Sequence, residues 1–185
     1  MRKTAVAILA VAVSSSAAFA AKTTAWMNEG RSGVVAPVLD DPTIVAIFDA
    51  ANTYDIETGN LAVAKGSSKV VRDFGAMLAR DHRMVRQQGR DLAKSLGVTP
   101  TPPRAFALAK AHVDAMHSLR GLEGAAFDRA FLKHEVDFHN AVIDAVNQTL
   151  MPAIQNAQVK DMVTKVAPAF AAHRDAAQNL LNQQK

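Results

Sequence analysis

Five side chains of the kind that hold metal ions fall on the apolar faces of helix-period segments: Glu57, His82, Glu135, His139 and His173. Residues three and four apart share a helix face. One such stripe reads Ala50, Tyr54, Glu57, Leu61, Ala64 and sets Glu57 among apolar neighbours. A second, Phe74, Leu78, His82, Val85, Leu92, encloses His82. A third, Leu132, Glu135, His139, Ile143, Val146, stacks Glu135 and His139 one turn apart. The last, Val159, Met162, Val166, Phe170, His173, Leu180, carries His173. A buried carboxylate without a partner is costly and must be compensated or neutralised. Two chemistries answer that need. Imidazole and carboxylate together suit iron, manganese, zinc or copper(II). Alternatively, each carboxylate holds a histidine in a metal-free hydrogen-bonded network.

The remaining reactive residue types read as packing or surface. His112 and His117 are five residues apart, a poor spacing for one helical face, and His134 points about a quarter-turn away from Glu135. The methionines, among them Met77, Met84, Met116 and Met162, are dispersed core fillers. No Gly-rich phosphate loop, nucleophile elbow or His-Glu-x-x-His occurs.

Helices must position the five residues, because apolar residues recur at helical spacing throughout and nothing reads as a strand. Asp41-Pro42 is a helix start, and the first helix is expected over 42–65. Gly66-Ser67-Ser68 breaks it and caps a second that runs to Leu96. Pro100, Pro102 and Pro103 form a connector, followed by a short helix over 104–119. Gly121 and Gly124 precede a long helix over 125–149, and Met151-Pro152 separates it from the last, over 156–183, which contains Pro168. The expected fold is all-α: a four-helix bundle with one additional short helix, occupying 41–183. A faint repeat links Val70-Arg72-Asp73-Phe74 before His82 to Val159-Lys160-Asp161-Met162 before His173, suggesting two related hairpins.

The amino-terminal residues bear on location. Arg2 and Lys3 precede an apolar run from Thr4 to Val13, small residues from Ser14 to Ala17, and Ala18-Phe19-Ala20. That order is expected of a secretory signal over 1–20, cleaved after Ala20 to release the protein into the periplasm. The run is shorter than the roughly 20 residues a membrane-spanning helix needs, so no transmembrane anchor is expected. Cleavage takes Lys plus Arg from 21 to 19 against 17 Asp plus Glu, a net charge of +2. The charges alternate, as in Arg72-Asp73 and Arg80-Asp81, and no basic face for nucleic acid emerges. Residues 21–40 form a small, polar leader interrupted by Gly30, Gly33 and Pro37. With no cysteine in the chain, disulfides and thiolate metal sites are excluded.

The run Glu57-Thr58-Gly59-Asn60-Leu61-Ala62, then Val71-Arg72-Asp73-Phe74 through Arg80-Asp81-His82, resembles the bacterial domain-of-unknown-function 4142 family. Phe127-Asp128 through Phe131, Glu135-Val136 to His139, and Val166-Ala167-Pro168 to His173 extend the resemblance over about residues 40–182. It implies a ferritin-like bundle, usually exported, but no reaction. The family's repeated features fall on Glu57, His82, Glu135 or His139, and His173. Ferritin-like di-iron enzymes place a Glu three residues before each of two histidines. Here those positions are Ala79 and Phe170, so a two-iron oxidase is not expected. The preferred expectation is a non-catalytic envelope or stress-associated protein that meets an envelope partner. The alternative is a periplasmic protein holding a single transition-metal ion for storage, buffering or sensing.

Overall fold

A computed structural model describes residues 39–103 and 106–184. The expected signal and most of the expected leader, residues 1–38, lie outside the described residues, as do positions 104–105 of the expected short helix.

Local capping chemistry sets the helix ends. Helix α1, Asp41–Lys65, begins where Asp40 accepts a hydrogen bond from Thr43 N at 2.9 Å, with Pro42 in the first turn. Helix α2, Lys69–Ser95, begins at Ser68, whose hydroxyl accepts from Val71 N. Helix α3, Ala107–Arg120, starts without a side-chain cap. Helix α4, Gly124–Ala145, continues into a π-helical stretch, Val146–Leu150, and a single turn, α5, Met151–Ala153. Helix α6, Ala157–Gln183, is capped by Asn156 and has Pro168 within it. The expected helix over 125–149 thus ends as regular α-helix at Ala145. No strand occurs among the described residues, and none of their helices is long and apolar enough to cross a membrane.

The connections fix the topology. The Gly66–Ser68 turn makes α1 and α2 an antiparallel hairpin. It is anchored on Asp128 of α4, which accepts from Ser67 N, Ser67 Oγ and Ser68 N at 2.8, 2.8 and 2.9 Å. At the far end, Thr101 N donates to Pro42 O at 3.1 Å, and Asn156 N to Asp41 Oδ2 at 2.9 Å. The connection from α2 to α4, which contains α3, therefore crosses the length of the bundle, from the end where α1 starts to the end where α4 starts, and α3 finishes where Lys65 Nζ meets Arg120 O. Helix α6 returns beside α4, and Arg129 donates to Gln184 O. One long crossover between two hairpins is the connectivity of ferritin-like bundles.

Inside, two apolar clusters sit towards opposite ends. One gathers Ile44, Phe48, Val146, Val159 and Phe170, the other Val71, Leu78, Phe127, Phe131 and Leu132. Between them lies a layer of buried polar side chains: Asn52, Asp55, Thr58, His82, Glu135, His139 and His173. Helices α1 and α2 cross tightly here. A Cβ on Gly59 would stand 2.6 Å from Gly75 O, and one on Gly75 2.7 Å from the Ala62 Cβ.

Candidate metal centre

Four of the five residues singled out in the sequence belong to the buried layer, each delivered by a middle turn of its helix. His82, His139 and His173, from α2, α4 and α6, each offer a ligand atom within 4.8 Å of the other two. A second triad, Asp55, Glu135 and His139, meets the same limit and shares His139. Ligands around an ion at about 2.1 Å lie at most about 4.2 Å apart, so small side-chain movements close either set.

Glu57 is not among them. Its side chain is 49% exposed and accepts from His112 Nε2 at 2.7 Å. The face of α1 that enters the core runs Phe48, Asn52, Asp55, Gly59, Ala62, so Asp55 takes the inward place expected of Glu57. His112, expected at the surface or in packing, is buried on a Leu108, His112, Met116, Leu119 stripe of α3.

Hydrogen bonds fix which nitrogens are free. Asn52 Nδ2 donates to Phe48 O at 2.8 Å, which turns the amide oxygen Oδ1 towards His82 Nδ1 at 2.9 Å. That oxygen only accepts, so Nδ1 of His82 carries the hydrogen and Nε2 keeps a lone pair. His173 Nδ1, 3.2 Å from His82 Nε2, must then be the donor of that contact. His173 Nε2 faces Asp81 Oδ2 at 3.3 Å, and an acceptor opposite a bare nitrogen is unfavourable. A neutral His173 has one hydrogen for these two contacts. His139 Nδ1 donates to Glu135 O at 2.9 Å, leaving Nε2 bare, buried and without a hydrogen-bond partner. Loss of the single proton between His82 and His173 would present three imidazole lone pairs to one another.

The electrostatics keep the histidines neutral. Burial, then the nearby His139 and His173, push His82 down to about 2. Burial, then His173, pushes His139 down to about 3. His173 is lowered by burial, with Asp81 acting in the opposite direction. The carboxyls move the other way. Burial raises Glu135 to about 7, and burial with the charge of Glu135 raises Asp55 well above its ordinary range. Both Glu135 carboxyl oxygens and Asp55 Oδ1 are buried, and they find no donor beyond the Thr58 hydroxyl and a proton held between the two carboxyls.

These observations fit a transition metal. A bare buried imidazole nitrogen costs about 1–3 kcal/mol, and a cation would satisfy it together with the two crowded carboxyls. A divalent ion with ionised Asp55 and Glu135 makes a neutral centre, the condition a dry interior demands. The donor set of imidazoles and carboxylates suits zinc, iron, manganese or copper(II). Asn52 and the Glu135 carbonyl supply the outer hydrogen bonds that fix ligand orientation at such centres. The two positions that would carry the bridging carboxylates of a two-iron centre hold no carboxylate here. Ala79 and Phe170 are both buried, and the Phe170 ring lies parallel to that of His82, 6.2 Å between centroids.

No curated protein and no solved structure matches this chain. A family described as a domain of unknown function (DUF4142) matches residues 29–180, and the chain belongs to that family.

Proposed function

We propose that this chain is an exported protein that holds one divalent transition-metal ion at the centre of its bundle, for storage, buffering or sensing. The observation that carries the reading is the bare, unpartnered His139 Nε2 beside the buried carboxyls of Glu135 and Asp55. They belong to the residues that form the two metal-type triads. A metal-free network leaves His139 Nε2 without a donor and must hold a proton between two crowded carboxyls, whereas buried polar groups are almost always paired. Binding is favoured over turnover, since Phe170 and the two apolar clusters pack around the centre. The order of Arg2-Lys3, the apolar run and Ala18-Phe19-Ala20 supports action in the periplasm.

Untagged protein isolated from the periplasmic fraction should begin at Ala21 and carry about one zinc, iron, manganese or copper per chain by elemental analysis. The His82→Ala, His173→Ala double variant should carry none. Metal-free wild type whose melting temperature does not respond to any of the four ions would leave the polar layer a structural network and end the proposal.

A further inference from the structure

Each of His82, His139 and His173 has one ring nitrogen turned towards the other two rings and one turned outward. His82 gives its outer hydrogen to Asn52 Oδ1 and His139 gives its own to the Glu135 carbonyl, both at 2.9 Å, so each presents a bare Nε2 inward. His173 is set the other way round. Its Nδ1 faces His82 Nε2 at 3.2 Å, and its Nε2 faces Asp81 Oδ2 at 3.3 Å. Asp81 thus takes the place at the third ring that Asn52 and the Glu135 carbonyl take at the first two.

A neutral His173 cannot satisfy both of its neighbours, since it has one hydrogen to give. With the hydrogen on Nδ1, the Asp81 carboxylate faces a bare nitrogen. With it on Nε2, the lone pairs of His82 and His173 oppose each other. A cation among the three imidazoles would remove the conflict by taking the Nδ1 lone pair, while Nε2–H goes to Asp81. The ring stays neutral, because the hydrogen lost at Nδ1 is regained at Nε2. Asp81 is well held for this part. Two nitrogens of Arg80 occupy its Oδ1 at 2.9 and 2.8 Å, which leaves Oδ2 to His173. An ionised acceptor makes a hydrogen bond about twice as strong as a neutral one. At 25% exposure the Asp81 side chain also reaches water, with which the hydrogen can exchange.

We infer that Asp81 is the positioning residue that selects the His173 tautomer able to bind metal through Nδ1. The inference rests on the metal-binding reading and adds to it the outer partner of the third imidazole.

Mature chain with isotope-labelled histidines, titrated with zinc and followed by NMR of the ring nitrogens, tests it. In loaded wild type the His173 hydrogen should sit on Nε2 and the metal on Nδ1. Asp81→Asn keeps the shape of the side chain and removes its charge. Its zinc affinity in competition with a chelator should fall about tenfold, and that of Asp81→Ala about 100-fold, the range for a lost outer partner of a ligand. Asp175→Asn removes a similar surface charge, paired with Arg174 at 2.7 Å, and should bind as wild type. The wild-type tautomer keeps the test valid even where a variant disturbs folding. Zinc held through His173 Nε2, a hydrogen remaining on Nδ1, or undiminished affinity in both Asp81 variants overturns the positioning role alone. Wild type that binds none of zinc, iron, manganese and copper overturns the metal-binding reading and this role with it.

Discussion

Asn52 decides which nitrogen of His82 is free. Its amide is held by the Phe48 carbonyl at 2.8 Å, and its oxygen receives the Nδ1 hydrogen of His82 at 2.9 Å. Replacing it with leucine removes the acceptor and lets the imidazole change tautomer or rotate, leaving Asp55 Oδ2, 3.5 Å away, as the nearest alternative. Losing an outer partner of a metal ligand lowers affinity about 10–100-fold. Asn52→Leu should show a loss of that size in a cobalt titration while still folding, and an unchanged affinity would mean that something else orients His82. The sequence reveals His82, Glu135, His139 and His173 because each interrupts a clean apolar stripe. It conceals Asp55 because α1 buries residues on most of its circumference, from Thr43, Ile44, Val45, Ala46, Ile47 and Phe48 onward. With apolar residues all round, two phases compete, and the one through Tyr54 and Glu57 looks as good as the one through Asn52 and Asp55. The nearby Gly59 is the local signal that favours the second, since small residues mark the tight side of a helix. His112 is hidden differently: its spacing to His117 is uninformative, whereas Leu108, Met116 and Leu119 reveal its face.

At the scale of the helices, the close crossing of α1 and α2 sets how near Asp55 and Asn52 come to His82. Gly59→Ala isolates that effect. Helix propensity alone would stabilise the variant by about 1 kcal/mol, whereas overpacking costs about 1–3 kcal/mol. Overpacking wins here, because the atom 2.6 Å from the added methyl is the backbone oxygen of Gly75, which cannot swing aside. The variant should unfold at lower urea than wild type and bind cobalt more weakly, since the added methyl pushes the helices apart within a turn of Asp55. A variant more stable than wild type would refute the crossing as a constraint. Helix ends that rest on local chemistry are partly legible: Gly66 with Ser68 marks the break, whereas the start expected at Asp41-Pro42 is capped one residue earlier by Asp40, and the Asn156 cap is not singled out. The π-helical stretch is not legible, since Val146–Leu150 contains neither glycine nor proline. Pro152 accounts for it from outside. It has no N–H for the Gln148 carbonyl, and its ring crowds that oxygen, so the chain widens just before it.

Across the whole molecule, two apolar ends enclose a polar layer whose protonation differs sharply between folded and unfolded chains, and stability must follow pH accordingly. In the metal-free protein Glu135 titrates near 7 against 4.5 for an ordinary glutamate, and Asp55 is raised too. The folded state therefore keeps carboxyl protons that the unfolded chain has released. Their contribution is fully present below the unfolded value and is lost as pH rises through the folded one. His82, His134, His139 and His173 are all lowered from 6.5. Their contribution is present above that value and is lost as pH falls, because the unfolded chain takes up protons that the core refuses. Opposed slopes give a maximum near neutrality. Glu135→Gln keeps the shape of the side chain and removes its alkaline loss. With chelator present at about pH 8, the variant should be the more stable by about 3 kcal/mol, at 1.36 kcal/mol per pH unit. At about pH 4 the difference should vanish, since both folded and unfolded wild type hold the proton there. Saturating zinc should reverse the order at the higher pH. The ion then supplies the countercharge for ionised Glu135, and zinc at about 1,000 times its dissociation constant adds about 4.1 kcal/mol, more than the gap of about 3 kcal/mol, while the variant lacks a ligand and receives little of it. Urea midpoints of the two proteins in chelator and in zinc measure all of this. Equal midpoints in chelator at about pH 8 would show that Glu135 does not carry the buried proton, and an order unchanged by zinc would show that its carboxylate is not a ligand.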